Sequence, residues 1–69
     1  MRTKLKMIRV SKNMNQENFA KFIGVSRPHY SGVESGKMQG SQKLWQNIQQ
    51  KLCIPDSEMW ELMKNDETR

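Results

Sequence analysis

The sequence predicts an all-α fold: a compact bundle of five short helices forming one domain over residues 1–64, followed by a frayed tail at 65–69. Apolar residues recur three or four positions apart, as in Leu44, Ile48 and Leu52, which is the period of an amphipathic helix. Alternation with a period of two does not persist anywhere. Residues that cap or end helices (Asn, Ser, Gly and Pro) separate the periodic segments.

The first helix is predicted over about residues 3–12, with Thr3 as its N-cap and with Leu5 and Ile8 facing inward. Asn13 suits the left-handed conformation that often ends a helix.

Asn15 is expected to cap a second helix over about residues 16–22, which Gly24 closes. Ser26 is the expected N-cap of a third helix, and Gly36 ends it. These punctuating residues place two short helices on either side of a tight turn.

Ser41 is the expected cap of a fourth helix, which Pro55 separates from a fifth. Asp56 or Ser57 is expected to cap the fifth helix. Its apolar positions are Met59, Trp60, Leu62 and Met63. The predicted core comprises part of this helix together with Leu5, Ile8, Met14, Phe19, Ala20, Ile23, Val25, Tyr30, Val33, Leu44, Ile48, Leu52 and Ile54.

The net charge of +5 is unevenly distributed. Residues 1–54 hold ten Lys and Arg residues against two acids, whereas residues 55–69 hold two against five. The basic part can therefore neutralise nucleic-acid phosphates, although such a charge also serves solubility.

Cys53 is the only cysteine, so no disulfide can form within the chain and a reducing, intracellular setting is expected. We predict that Cys53 is buried or half-buried in packing. No apolar run approaches the length of a membrane span, and no secretory signal is expected.

Residues 15–37 have the layout of a helix-turn-helix, in which a second helix held off the body can enter a DNA major groove. Residues 5 to about 52 resemble the Cro/repressor-type, or Xre-like, domains of bacteria and their phages. The matching residues are Leu5, Ile8, Arg9, Gln16, Phe19, Ala20, Ile23, Gly24, Val25, Ser26, Arg27, Ser31, Val33, Glu34, Gly36 and Lys37. The resemblance implies a lambda-repressor-like five-helix domain, usually a homodimer on a palindromic operator, in the bacterial cytoplasm and nucleoid.

The third helix supplies most of the expected base contacts. Arg27 can bond guanine bidentately, and the Pro28 ring can touch a thymine methyl. Gly32 falls where the family has a base-reading side chain; it either lets the helix approach the groove closely or clears space for another group. The expected base contacts are Arg27, His29, Gln16, Pro28 and Gly32. Because direct readout rests on Arg27, His29 and Gln16, DNA shape is also expected to contribute to specificity.

Polar and basic residues around the third helix are the expected phosphate contacts. They are Asn15, Gln16, Ser35, Lys37, Gln39 and Lys43. The resemblance also implies a structural ion pair between Arg9 and Glu34. No paired carboxylates, phosphate-binding glycine loop or activated nucleophile points to an enzyme, and no metal, cofactor or small-molecule effector is expected.

The sequence leaves two functions open. The first is a sequence-specific transcriptional regulator that binds double-stranded DNA, such as a phage- or mobile-element-type repressor or Cro. The alternative is a protein-interaction module or antitoxin-like protein whose fifth helix binds a partner. In either case the expected dimer or partner interface is Met59, Trp60, Leu62 and Met63, unless these residues only close the core.

Overall fold

Five α-helices form between residues 1 and 65, the part of the chain that this computed structural model describes. They are α1 (Thr3–Ser11), α2 (Gln16–Ile23), α3 (Arg27–Ser35), α4 (Gln42–Leu52) and α5 (Asp56–Met63). Helix α2 packs on α3 and α4, and α1 packs on α3 and α5. The predicted all-α, five-helix fold is confirmed.

Three of the five helices begin at the polar residue that the sequence indicated. The side chains of Asn15, Ser26 and Ser41 accept hydrogen bonds from the backbone N–H three residues later, at 2.7, 3.4 and 3.0 Å. Each bond satisfies one of the N–H groups that a helix start leaves without an intrahelical partner. These local bonds fix where α2, α3 and α4 begin.

The N-cap predicted for the first helix is wrong. Thr3 is already helical, and the cap position is Arg2, whose side chain makes no capping bond. The Arg2 backbone N–H donates to the Glu34 carbonyl at 2.8 Å, so a long-range contact fixes this helix start.

The caps predicted for the fifth helix are also wrong. Asp56 and Ser57 lie inside α5, and Pro55 occupies the cap position with an extended backbone. The Asp56 carboxylate accepts a hydrogen bond from the Gln49 side chain instead of capping its own helix.

A left-handed residue follows each of the first four helices, directly after α2, α3 and α4 and one residue later after α1. Asn13 takes this conformation as predicted (φ 58°), and Gly24 and Gly36 follow α2 and α3 at φ 83° and 90°. Cys53 does the same after α4, at φ 54°. The prediction that Cys53 is buried or half-buried is wrong, because this terminal turn leaves its side chain exposed.

The hydrophobic core lies between these packed helices. Its buried apolar residues are Leu5, Phe19, Ala20, Ile23, Tyr30, Val33, Leu44, Trp45, Ile48, Met59 and Leu62. The remaining predicted core residues pack against this cluster while partly exposed; they are Ile8, Met14, Val25, Leu52 and Ile54, joined by Phe22.

The expected tail at 65–69 lies outside the described residues except for Asn65. The Asn65 side chain donates to the Gly36 carbonyl at 3.1 Å and accepts from the Met1 amino group at 2.7 Å. Asn65 is therefore bonded to the helical body. Within residues 1–65, no helix is both long enough and apolar enough to cross a membrane.

Candidate nucleic-acid interface

Helix α3 has one buried side and one exposed side. Tyr30, Val33 and Glu34 are 0 to 2% exposed and face the body, whereas Arg27 and Pro28 in the first turn are exposed. A helix held by one side in this way presents its first turn outward. This is the arrangement in which a helix can enter a DNA groove.

A buried carboxylate fixes α3 to the rest of the protein. Glu34 accepts hydrogen bonds from Arg9 Nε at 2.8 Å and Nη2 at 3.3 Å, from Gln16 Nε2 at 3.0 Å and from the Tyr30 hydroxyl at 2.6 Å. Arg9 also donates to the Met14 carbonyl at 2.7 Å. The expected ion pair between Arg9 and Glu34 is present in the structure, and it links α1, α2 and α3.

The electrostatics of this cluster favour an ionised Glu34. Burial by itself would raise the pKa of Glu34, but the hydrogen bonds from Arg9, Tyr30 and Gln16 and the Arg9 charge outweigh it and lower that pKa. The pKa of Tyr30 is raised, first by burial and then by its bond to Glu34. The hydrogen bond to Glu34 raises the pKa of Arg9. The pair is thus charged at neutral pH.

The Glu34 cluster limits what Gln16 can do at a DNA surface. Its side-chain amide donates to Glu34 and is partly buried, so Gln16 braces α3 against the start of α2. Asn15, one residue earlier, is exposed. Its side-chain oxygen accepts the capping bond from the Asn18 N–H.

The other expected base contacts differ in their exposure. His29 is half-buried, and its Nε2 has neither solvent contact nor a hydrogen-bond partner within residues 1–65. In this conformation that atom is not presented to a base, because packing covers it. Gly32 is also half-buried, since the Met38 side chain lies where a side chain at position 32 would project. Among the expected base-contact residues, only Arg27 and Pro28 are exposed.

The segment between α3 and α4, residues 36–41, is anchored along its backbone; we call it the α3–α4 loop. The N–H groups of Lys37 and Met38 donate to the Gly32 carbonyl at 3.0 and 3.1 Å. The Gln39 carbonyl accepts from the Trp45 indole at 3.0 Å. The side chains of Lys37 and Gln39 are exposed on this anchored loop, so binding through them does not require the loop backbone to be ordered first.

Other expected phosphate contacts flank this loop. The Ser35 hydroxyl is exposed but donates to the Gly32 carbonyl at 3.0 Å. Lys43 is exposed in the first turn of α4. The two acids of the basic part are paired, Glu34 with Arg9 and Glu17 with Lys21 at 3.8 Å. A basic partner therefore offsets the charge of each acid, which reduces its repulsion of phosphates.

Arg2 is a structural residue that the sequence analysis counted only as a charge. It is 6% exposed and donates to the carbonyls of Val33 at 2.6 Å, Met38 at 2.8 Å and Met63 at 3.0 Å. Its guanidinium carbon lies 5.5 Å from the centre of the Trp45 ring. Burial lowers the pKa of Arg2. Arg2 lies three residues before buried Leu5, and residues three apart share one side of a helix. This spacing is the sequence signal that predicts an inward position for Arg2.

The four residues expected at a dimer or partner interface divide into two pairs. Met59 is 9% exposed and Leu62 is 1% exposed, and both are part of the core. Helix α5 packs on α1, and the helical body covers both residues. Trp60 and Met63 lie on the outer side of α5, at 61% and 43% exposed. The exposed apolar residues of α5 are therefore Trp60 and Met63.

The described part of the chain contains no cluster of potential metal ligands. Between residues 1 and 65 no three His, Cys, Asp or Glu residues are close enough together to hold an ion. The geometry available is instead a basic surface around the exposed start of a helix.

Comparison with known proteins gives a family match over most of the chain. Residues 5–53 match the family model HTH_3, described as Helix-turn-helix. An uncharacterized HTH-type transcriptional regulator of Methanocaldococcus jannaschii is 46% identical over 44 residues, which are 64% of this chain and 67% of that protein. That relative is archaeal, so it gives no support to a bacterial setting. No solved structure was found to match the chain.

Proposed function

Because this chain belongs to the Cro/C1-type helix-turn-helix family of DNA-binding transcriptional regulators, which are not enzymes, we propose that it binds a palindromic operator as a homodimer, with α3 in the major groove. It would regulate by occupying the operator and blocking polymerase, as a small phage- or mobile-element-type repressor or Cro does. We place this activity inside the cell.

The observation that carries this proposal is the exposed first turn of α3 beside a basic, anchored loop. Arg27 stands at the start of α3, where an arginine can bond guanine O6 and N7. Lys37 and Gln39 on the α3–α4 loop, and Lys43 at the start of α4, are exposed and suited to phosphates. Asn15 adds an amide at the start of α2.

A homodimer would place two copies of α3 about 34 Å apart, one turn of DNA, so that both reach the same face of the duplex. Trp60 and Met63 are exposed three residues apart on α5, so their side chains can form one apolar patch; such patches often mark an interface, and this one supports a dimer contact there.

The first experiment is selection from random-sequence DNA at two salt concentrations, followed by sequencing. We expect a two-fold symmetric motif, and affinity that falls steeply with salt because phosphate contacts release counterions. Absence of any enriched sequence, even at low salt, would refute the proposal.

Two single substitutions then test the surface. Arg27→Ala should reduce specific binding and relax the preference at one base pair of each half-site, by about 1–3 kcal/mol. Lys6→Ala is the matched control, because it also removes an exposed positive charge but lies on α1. Equal losses in the two variants would indicate a general charge effect and not base reading by Arg27.

Lys43→Ala tests a phosphate contact. We expect similar weakening on all DNA sequences, with the slope of log K against log salt concentration reduced by about one per protomer. Lys6→Ala should leave that slope unchanged.

The exposed pair on α5 also supports the second candidate, a module that binds a different protein. Sedimentation of the wild type and of Trp60→Ala distinguishes the two. Dimers that dissociate in Trp60→Ala but persist in Val10→Ala, which truncates an exposed apolar residue on α1, support the homodimer. If the wild type remains a monomer at high concentration, the result would favour the second candidate, in which α5 binds a different protein.

A further inference from the structure

Gly32 interrupts the exposed side of α3 at a position where a side chain would point away from the body. It lies one helical turn after Pro28 and on the side opposite buried Tyr30 and Glu34, which are two residues away in either direction. A glycine inside a helix costs about 1 kcal/mol relative to alanine. The space that its missing side chain leaves is not empty: a Cβ at position 32 would overlap the Met38 Sδ and come within 2.9 Å of the Met38 Cγ.

Met38 is held in this place from both sides of its backbone. Its N–H donates to the Gly32 carbonyl at 3.1 Å, and its carbonyl accepts from Arg2 Nη1 at 2.8 Å. Met38 as a residue is 41% exposed. Its thioether lies over the middle of α3 at Gly32, on a backbone that two hydrogen bonds hold in place.

Around Met38, this helix face has little capacity for hydrogen bonding apart from the hydroxyl of half-buried Ser31. Pro28 has no side-chain donor or acceptor, and the Ser35 hydroxyl already donates to the Gly32 carbonyl. Met38, between them, presents a flexible apolar tip. The base-edge group that such a surface can recognise in the major groove is the C5-methyl of thymine.

We propose that Met38, carried on the α3–α4 loop, takes the place of the side chain absent at Gly32 and reads a thymine methyl in the operator. This inference rests on the proposed function, because it requires α3 to enter the major groove. It adds a specificity-determining residue from outside the helix.

The test uses the operator recovered by selection, with each thymine replaced in turn by deoxyuridine, which lacks only the methyl group. Affinities are measured by fluorescence anisotropy at one fixed salt concentration. At one thymine of each half-site, uracil should weaken wild-type binding about fourfold, the effect of losing one buried methyl-sized group. Met38→Ala should bind thymine and uracil equally there. Met7→Ala, which truncates an exposed methionine on α1, should keep the wild-type difference.

Gly32→Ala provides a second, independent variant. Its added methyl must displace the Met38 side chain without removing it, and this displacement is easy because the Met38 tip is flexible and half exposed. Helix propensity favours alanine, so the fold should persist, which circular dichroism checks. Gly32→Ala should abolish the same uracil effect, and Gly32→Ala combined with Met38→Ala should behave like either single variant.

The outcomes separate the two proposals. If the wild type selects no DNA, both the proposed function and the role of Met38 fail. If an operator is recovered but Met38→Ala and Gly32→Ala retain the full uracil effect at every thymine, the role of Met38 alone is overturned.

Discussion

Replacing Glu34 by glutamine tests whether the buried cluster holds α3 in place. Glu34 is 2% exposed, and its two oxygens accept four hydrogen bonds, two of them from Arg9. Glutamine keeps the size of the side chain but removes the charge and turns one acceptor into an N–H₂ group that faces donors. Arg9, itself only 11% exposed at the side chain, loses its counter-ion.

The magnitude follows from this burial. Breaking one partner of a buried ion pair costs about 3–5 kcal/mol, because the remaining charge stays away from water. A chain of this length has a total free energy of unfolding of about 3–10 kcal/mol, at 0.05–0.15 kcal/mol per residue. Glu34→Gln should therefore remove a large part of the stability, and with it the fixed orientation of α3.

The assay is urea denaturation at neutral pH, followed by far-ultraviolet circular dichroism. Glu17→Gln is the matched control, since Glu17 is the other acid of the basic part and its pair with Lys21 is exposed; surface pairs contribute little. The combination of Arg9→Met with Glu34→Gln should cost less than the sum of the two single changes, because no charge is then stranded. A loss below about 1 kcal/mol in Glu34→Gln, as for a surface pair, would refute the reasoning.

Three further predictions follow from the same contacts. The pKa of Glu34 is lowered in the folded state, so ionised Glu34 stabilises the fold above the ordinary carboxyl value of 4.5, and this stabilisation is lost as the pH falls through the folded pKa. Urea midpoints measured against pH should therefore fall on acidification in both the wild type and Glu17→Gln. Because the pKa of Tyr30 is raised, stability should fall as the pH rises above the ordinary value of 10.0; Tyr30→Phe should reduce this alkaline loss while lowering the neutral-pH free energy of unfolding by about 1–2 kcal/mol. Arg2→Met should cost about 2–3 kcal/mol, since three carbonyls lose a charged donor, whereas Lys4→Met, at an exposed position, should change the urea midpoint little.

The sequence by itself was enough to locate the helices and most of the core. Asn15, Ser26 and Ser41 start helices through bonds to residues only three positions away, so their effect is readable without the fold. The apolar periods place the core residues for the same reason, because a helix puts every third or fourth residue on one side. The Arg9–Glu34 pair was also anticipated, through the family resemblance.

Only the tertiary structure decided which side chains are free to act. Periodicity did not separate Met59 and Leu62, which close the core, from Trp60 and Met63, which stay exposed, since this depends on how α5 lies against α1. The same holds for His29, whose Nε2 is covered.

The contacts of Arg2 and Met38 are even harder to predict from the local sequence. Arg2 bonds carbonyls 31 to 61 positions away, and Met38 fills the space beside Gly32 because the loop folds back over α3. Capping and periodicity depend on neighbours within one helical turn, and so the sequence determines them. The exposure of a side chain and the group that fills a gap depend on segments brought together by folding, which the tertiary structure alone decides.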